Sequence, residues 1–580
     1  MLNKDYIRVL YIDLTNEEYR FEERKDLFKY IGGTGVAAKL LEENIKPELD
    51  PFDPSQPIIF ANGPLSFVMP VCTKVVATFY SPHTREYGES HAGGRLAMAM
   101  RFNNIDAIVI TGKAKYPKYL VIDDKVLFKD ARAMWGLSVE DTGKILRQHT
   151  TGSGIRSSLR IGRAGENLVT YAGVNVDTYR HFGRLGLGAV FGSKLLKGIV
   201  IIGDESIKIP KENLKKYREV YDSIYDVVTK TDVMEKYHAV GTSINVLPLN
   251  EMNSLPSLNL KTTRYEHAEG ISGEKFAREV LVRKVACSGC QIGCIHIGQF
   301  RRQFDEGYEY ETVNVSYDHE LVFALGSFVG LKNPEEVLQL IDVVEREGLD
   351  AISTGVALGW ATEAYNRGII TIDDTLMPLE FGILPNYMAA VHYIATGKNE
   401  FYKDLGKGVA YASKKYGGQD FACHLGGNEM PGYHTGYGSV VGFSVGSRHS
   451  HLDNAGYSID QARPKEEEIV KKIFNEELER NILTSLVACL FARKVYNRET
   501  ILKALDAVGV QYTNSDLTEI AKEILRTKYR IKEKLGYSLD SIKIPKRFFE
   551  TITLNGKLDE EKAHKMVKEY KAMIEELMKQ

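Results

Sequence analysis

Three thiols stand within eight positions at Cys287-Ser288-Gly289-Cys290-Gln291-Ile292-Gly293-Cys294, a C-x2-C-x3-C spacing, in a chain of 580 residues with 6 cysteines. Thiols packed that densely are metal ligands or buried free thiols. A zinc site usually pairs two C-x2-C or Cys/His arms. His296 is near enough to be recruited, but no second C-x2-C arm exists. Radical enzymes use the reverse order, C-x3-C-x2-C. A cubane iron–sulfur cluster needs four thiolates, and often takes three from one loop and one from afar. Cys72, Cys423 and Cys489 remain to supply it. The spacing favours the cubane over zinc, with unligated thiols as the third reading.

Other residues could carry chemistry beside such a cluster. Arg180-His181-Phe182-Gly183-Arg184 brings two guanidiniums to a glycine, where backbone and charge together suit a multiply charged phosphate. Gly32-Gly33-Thr34-Gly35 could cradle a phosphate at a helix start; a tight turn is the plainer reading, and neither the P-loop nor the dinucleotide pattern is met. His434, His449 and His451 fall within 18 residues, in a loop threaded by glycines at 432, 436, 438, 442 and 446. Tyr433, Tyr437 and Arg448 accompany them. A lone histidine is usually structural, whereas a histidine cluster in a glycine-rich loop points to function. Glu309-Tyr310-Glu311 follows the cysteine loop; exposed acids are ordinarily just solvated.

The elements that must position these residues fall into two textures. Residues 1–205 read as β-rich, with Tyr6–Leu14 and Glu18–Phe21 forming a hairpin and short apolar strands near 57–61, 75–79, 107–111, 119–122 and 197–202. After Gly203, helical periodicity dominates. The clearest helix is 334–347, with Asn333 as cap, Pro334 at the first position, Glu336 completing a capping box and Gly348 as stop. The spacing of Met566, Tyr570, Met573 and Leu577 gives a C-terminal helix one apolar stripe for docking on the same chain. The expected fold class is therefore α+β and multidomain. A β-rich N-terminal domain (1–208) precedes two mainly helical domains, 209–417 with three clustered cysteines and 418–580 with Cys489.

Composition excludes some partners. Lys+Arg is 75 and Asp+Glu 77, a net charge of -2, which gives no electrostatic footprint for nucleic acid. There is no apolar run of about 18 residues for a membrane span, and the N-terminus has no apolar signal-peptide core. Scarce, clustered cysteine points to a reducing compartment, hence a cytoplasmic location.

The order of these motifs resembles the aldehyde ferredoxin oxidoreductase family, enzymes with a tungsten or molybdenum bis-pterin and a [4Fe–4S] cluster. The resemblance runs through Ile31-Gly32-Gly33, Asn62-Gly63-Pro64-Leu65, Ser81-Pro82, Gly93-Gly94, Asp106-Ala107-Ile108-Val109 and Gly162-Arg163-Ala164-Gly165-Glu166-Asn167. It continues through Gly183–Lys194, the cysteine loop, Gly348–Gly355 and Cys489-Leu490-Phe491. It implies Cys489 as the fourth cluster ligand beside Cys287, Cys290 and Cys294, and ordinary thiols at Cys72 and Cys423. It implies pterin-phosphate contacts at Lys74, His91, Gly93, Arg180, His181, Gly183 and Arg184, with magnesium bridging the phosphates. The second pterin is implied at Glu345, Leu349, Asp350 and Leu490, and the active cavity is expected to be lined by Arg184 and Asp350.

The implied reaction is oxidation of aldehydes to carboxylic acids, with electrons passing through the cluster to ferredoxin or a small polyferredoxin-like subunit. Glu311, as the second Glu of an E-Y-E pattern, is expected to be the acid/base, and His451 or His434 to polarise the carbonyl. The sequence departs from the family in two places. Thr484 stands where an acid is usual. Gln339 stands where the homodimeric branch has a Glu for a bridging metal, which argues against that dimer. The alternatives are a reductive aromatic acyl-thioester subunit of the same family and a non-catalytic iron–sulfur relay.

Overall fold

The computed structural model describes residues 4–579, apart from 208, 210 and 233. The first expected domain boundary, at 208, lies outside the described residues. The architecture is α+β, β-rich to Gly203 and helical after it.

Two six-stranded sheets build the first part. In one, the order is Glu18–Arg24, Ile7–Asp13, Ala107–Thr111, Ile58–Ala61, Val75–Tyr80 and Tyr87–Ala92. The expected hairpin is its edge, with Ile7 opposite Arg24 and Asp13 opposite Glu18. In the other, the order is Arg180–Phe182, Val174–Val176, Ile155–Arg160, Leu196–Gly203, Lys118–Ile122 and Val126–Asp130. Successive side chains on a strand face opposite sides. Leu10, Ile12, Phe60 and Phe79 therefore join Leu120, Leu159, Val174 and Ile201 in one core between the sheets. Val9, Ile59 and Val76 turn the other way, onto helix Gly33–Asn44.

Helix Pro334–Glu347 has the expected ends. Asn333 accepts from the Glu336 N–H at 3.0 Å, and Gly348 closes it at φ 77°. The capping box is not formed: the Glu336 carboxylate instead takes the N–H of Lys332, the residue before the cap, at 3.5 Å. Helix Glu560–Lys579 docks on the same chain through Met566, Tyr570 and Leu577. The Tyr570 hydroxyl also donates to buried Glu477 at 2.8 Å.

A three-stranded antiparallel sheet, Leu281–Val285, Ile295–Gln303 and Tyr310–Tyr317, carries the cysteine loop between its first two strands. A turn from the N-terminal part, 71–74, ties that loop to the distant Cys489 segment. The Val71 N–H donates to the Gly289 carbonyl at 3.2 Å, and the Val71 carbonyl accepts from the Cys489 N–H at 3.0 Å. Thr73 and Lys74 both donate to the Val487 carbonyl at 3.2 Å. Val71 and Val487 sit at φ 64° and 57°, a region costly for a β-branched residue and held only where surroundings over-determine it.

Val71→Pro would delete the donor and impose φ near about -65°. The expected outcome is a lower melting temperature and iron well below the wild-type content, measured by visible absorbance and iron assay. Val71→Gly, which adopts positive φ without steric cost, is expected to keep its iron.

Candidate functional site

A cavity of about 670 Å³ opens where these segments meet. Cys287, Cys290, Cys294 and Cys489 all line it, with Lys74, His91, Arg180 and Leu490. Burial pushes the Cys290 thiol up to about 11 and Cys294 to about 12, with the neighbouring Cys489 adding to both. Burial works against the charges on Lys74 and Arg180. The thiols outweigh it, those of Cys489 and Cys287 at Lys74 and those of Cys287 and Cys294 at Arg180, so both cations are held above their ordinary range. A Cβ on Gly93 would meet the Cys287 sulfur at 2.6 Å. Glycine is what lets that strand end approach the cysteine loop, and the Ser288 N–H in turn donates to the Gly94 carbonyl at 3.0 Å.

Of the remaining expected cofactor residues, His91 is on this cavity's wall, while His181, Gly183, Arg184, Glu345, Leu349 and Asp350 lie off it. His91 gives Nε2 to Glu89 at 2.7 Å, and burial pushes it down to about 4, so it offers a hydrogen bond rather than a charge. His181 meets Glu345 at 3.0 Å. Arg184 approaches Asp350 at 3.4 Å and donates Nη2 to the Glu429 carbonyl at 2.7 Å. Its Nε and Nη1 are buried without a hydrogen-bond acceptor, as a guanidinium waiting for phosphate would be. A Cβ on Gly183 would meet the Asp350 carboxylate at 3.7 Å. Asp350 also caps helix Ala351–Asn366, and Leu349 bridges to Ala172. Arg184 and Asp350 thus face each other and are not on the cavity wall, contrary to expectation. Thr484 donates its hydroxyl to the Arg480 carbonyl at 2.7 Å, so its donor is spent within its own helix and its oxygen offers a neutral acceptor where the missing acid would be charged.

Among the described residues no three His, Cys, Asp or Glu side chains close on a single metal ion; a cubane asks for a different arrangement, one thiolate per iron. Four thiols on one cavity, buried cations beside them and the orphaned Arg184 donors fit an iron–sulfur cluster next to a phosphorylated cofactor.

The expected acid/base is not brought to this cavity. Glu311 is on strand Tyr310–Tyr317, its side chain 46% exposed, paired to Arg302 at 2.6 Å. With Glu345 it lines a separate polar cavity of about 270 Å³. The strand is exposed from Tyr310 to Thr312, which leaves Glu311 in solvent beside the Arg302 guanidinium. Two carboxyls are on the cavity wall, Asp318 and Glu320; Asp318 is spent capping two backbone N–H groups of helix His319–Val322, at whose start Glu320 stands. Glu320 faces His451 at 3.4 Å. Burial raises Glu320 to about 8 and holds His451 well below its ordinary value. His451 Nδ1 has no hydrogen-bond partner among the described residues. Tyr433 stacks on Tyr457 at 4.1 Å and lies 5.7 Å from the His451 ring. His434 is buried against Phe548, outside the cavity. Tyr437 uses its hydroxyl on the Asp559 N–H at 2.9 Å. One signal could have found Glu320: it is the acid that directly enters the apolar run Leu321-Val322-Phe323-Ala324-Leu325.

The pattern described as aldehyde ferredoxin oxidoreductase, N-terminal domain, matches residues 9–203, and that of aldehyde ferredoxin oxidoreductase, domains 2 & 3, matches 219–577. The chain belongs to the aldehyde ferredoxin oxidoreductase family. Membership makes it an oxidoreductase. A tungsten-containing aldehyde ferredoxin oxidoreductase of Pyrococcus abyssi is 29% identical over 573 residues, covering 94% of this chain and 91% of that one. A Pyrococcus furiosus aliphatic sulfonate oxidoreductase, WOR-like subunit, is 27% identical over 430 residues, covering 70% and 67%. The active site complex BamBC of benzoyl coenzyme A reductase, in complex with 1,5 dienoyl-CoA, superposes with a TM-score of 0.83 over 98% of this chain and 94% of that one. At 20% identity that likeness shows the fold alone. Among the described residues no helix is long and apolar enough to cross a membrane.

Two measurements probe this site. Gly93→Ala drives a methyl into the Cys287 sulfur, and the expected result is less than half the wild-type iron with secondary structure intact by circular dichroism. In the cofactor-free protein, Glu320 keeps its proton up to about 8, whereas an unfolded chain releases it near the ordinary 4.5. Between those values the folded state holds the extra proton, so stability falls as pH rises. The melting temperature of wild type should therefore drop relative to Glu320→Gln from about pH 5 to about pH 8, with the gap constant below the lower value.

Proposed function

We propose that this chain oxidises aldehydes to carboxylic acids, RCHO + H2O → RCOOH + 2 H+ + 2 e−. In this reading Cys287, Cys290, Cys294 and Cys489 hold one [4Fe–4S] cluster. Lys74, Arg180 and Arg184 neutralise pterin phosphates around a magnesium ion, with hydrogen bonds from His91 and His181 and close backbone approach at Gly93 and Gly183. Glu345, Leu349, Asp350 and Leu490 bound the second pterin. Held there, a tungsten or molybdenum pterin would supply Lewis acidity and two-electron redox capacity, and a cluster on the four cysteines would supply a one-electron outlet toward ferredoxin or a small ferredoxin-like subunit.

The observation that carries the reading is the Glu320–His451 pair, 3.4 Å apart on the wall that also bears the thiols. A carboxyl whose proton affinity lies near neutrality is suited to take a proton from water and return it. Neutral His451 has Nδ1 available to a substrate oxygen while Nε2 faces Glu320. Tyr433 and Tyr457 form an aromatic wall that excludes bulk water from that proton transfer.

Elemental analysis of anaerobically purified protein, with dye-coupled aldehyde oxidation, tests the proposal. About four irons and one tungsten or molybdenum per chain are expected; iron without the heavier metal would instead make the chain a relay. Acyl-thioester reduction without aldehyde oxidation would reassign the substrate. Glu320→Gln should lower kcat by about 10²–10⁴-fold with both metals retained, and Glu311→Gln should stay within about twofold of wild type, since surface charges lie outside the reacting shell.

A further inference from the structure

The cavity wall is strongly cationic. It carries Lys74, Arg180, Lys236, Arg480, Arg493 and Lys494 against two carboxyls, Asp318 and Glu320. Near neutral pH Glu320 keeps its proton and offsets nothing.

Lys74 and Arg180 answer to the thiols, as described above. Lys236 and Arg493 do not. Lys236 is pushed below its ordinary value by burial and then by the charge of Arg493, with Asp232 opposing and Lys494 adding to the fall. Burial works against the charge on Arg493, but Tyr457, Tyr237 and Glu476 outweigh it and hold Arg493 above its ordinary range; it donates Nη1 to the Leu490 carbonyl at 2.9 Å. Lys236 lies 5.5 Å from the Tyr237 ring centroid. Among the described residues none of Lys236, Arg493 and Lys494 is salt-bridged to a carboxylate.

Their gathering is built in. Lys236 belongs to the π-helical turn Met234–His238, while Arg493 and Lys494 follow the short helix Leu490–Ala492. Tyr237 from the first segment stacks on Phe491 from the second, centroids 4.3 Å apart and planes 12° off parallel. That clamp brings the three cations to one side of the cavity, where the charges of Arg493 and Lys494 already weigh on half-buried Lys236 and an added anion would relieve them. Between them and the Glu320–His451 pair stand Tyr457 and Tyr433.

We propose that Lys236, Arg493 and Lys494 form a subsite for a carboxylate or phosphate carried by the substrate at the end remote from its carbonyl. This rests on the aldehyde reading above and narrows it to acidic aldehydes. The cations line the cavity itself, which favours a substrate group over the acidic face of an electron-carrier protein.

The test uses metal-loaded enzyme and a viologen dye with two matched pairs, succinic semialdehyde against butanal and glyceraldehyde 3-phosphate against glyceraldehyde. The charged member of at least one pair should show kcat/KM higher by about tenfold or more, the worth of one charge-assisted hydrogen bond. The pair that responds tells carboxylate from phosphate. The ratio should fall toward one in the triple variant Lys236→Gln/Arg493→Gln/Lys494→Gln and shrink as salt is added. Arg493→Lys, which keeps the charge, should retain most of it, with iron content by absorbance confirming that every variant is assembled. Equal or preferential turnover of the neutral members overturns the subsite and leaves the aldehyde reading standing, whereas failure to oxidise all four aldehydes overturns both. Variants that slow ferredoxin-linked but not dye-linked turnover of every substrate would assign the cations to a protein partner and overturn the subsite too.

Discussion

One turn of backbone, 71–74, holds the two thiol-bearing segments against each other. Its donors and acceptor are used in both directions, toward Gly289 on one side and toward Cys489 and Val487 on the other. A buried main-chain group left unpaired costs as much as a lost hydrogen bond, so each of the three segments needs the other two. The positive φ at Val71 and Val487 shows how far this constraint overrides local preference. The strain is held by neighbours that leave the chain no other path, as residues in sparsely populated backbone regions at functional sites commonly are.

Around that junction, electrostatics sort the charged residues by depth. Burying an isolated charge is expensive, and the buried charges here come in networks. Glu89 is held well below the ordinary carboxylate range: burial opposes its charge, but Lys528 and Arg448 overcome it. Glu429 is held down to about 2, where His83 and Ser353 offset burial. Glu320 lacks such a set, and burial wins. The difference separates structural acids, which cannot take up a proton near neutrality, from the one carboxyl on the cavity wall that can. The same contrast separates Lys74 and Arg180, which have thiols to face, from Lys236 and its neighbours, which face one another.

The two sheets serve this arrangement as a rigid frame. Their shared core of Leu, Ile, Val and Phe fixes the strand ends at Ala92 and Arg180, from which the Gly93 and Arg180 contacts leave. A site resting on strand ends and short helices keeps its geometry better than one borne on long loops. Tertiary packing also explains the small size of the helices that carry Glu320 and Leu490. Each is four residues or fewer, too short to be stable alone; Asp318 caps the first, and both are held at the cavity wall.

The sequence by itself determined the α+β order of elements, the edge hairpin, the capped helix at 334–347, the C-terminal apolar stripe and the three clustered thiols, because periodicity, caps and ligand spacing are local properties. Family resemblance pointed to Cys489 and to the cations Lys74, Arg180 and Arg184, through short motifs. Tertiary structure decided the rest. Glu311 and Glu320 are both carboxylates near an aromatic in sequence, and only the turn of strand Tyr310–Tyr317 and the cap at Asp318 put one in solvent beside Arg302 and the other against His451. The cations at 236, 493 and 494 carry no mark in the sequence, since what joins them is the stacking of Tyr237 on Phe491, a contact between segments that no local pattern connects. Side-chain identity is written along the chain, but proton affinity and charge repulsion depend on distance and desolvation, which exist only once the chain has folded.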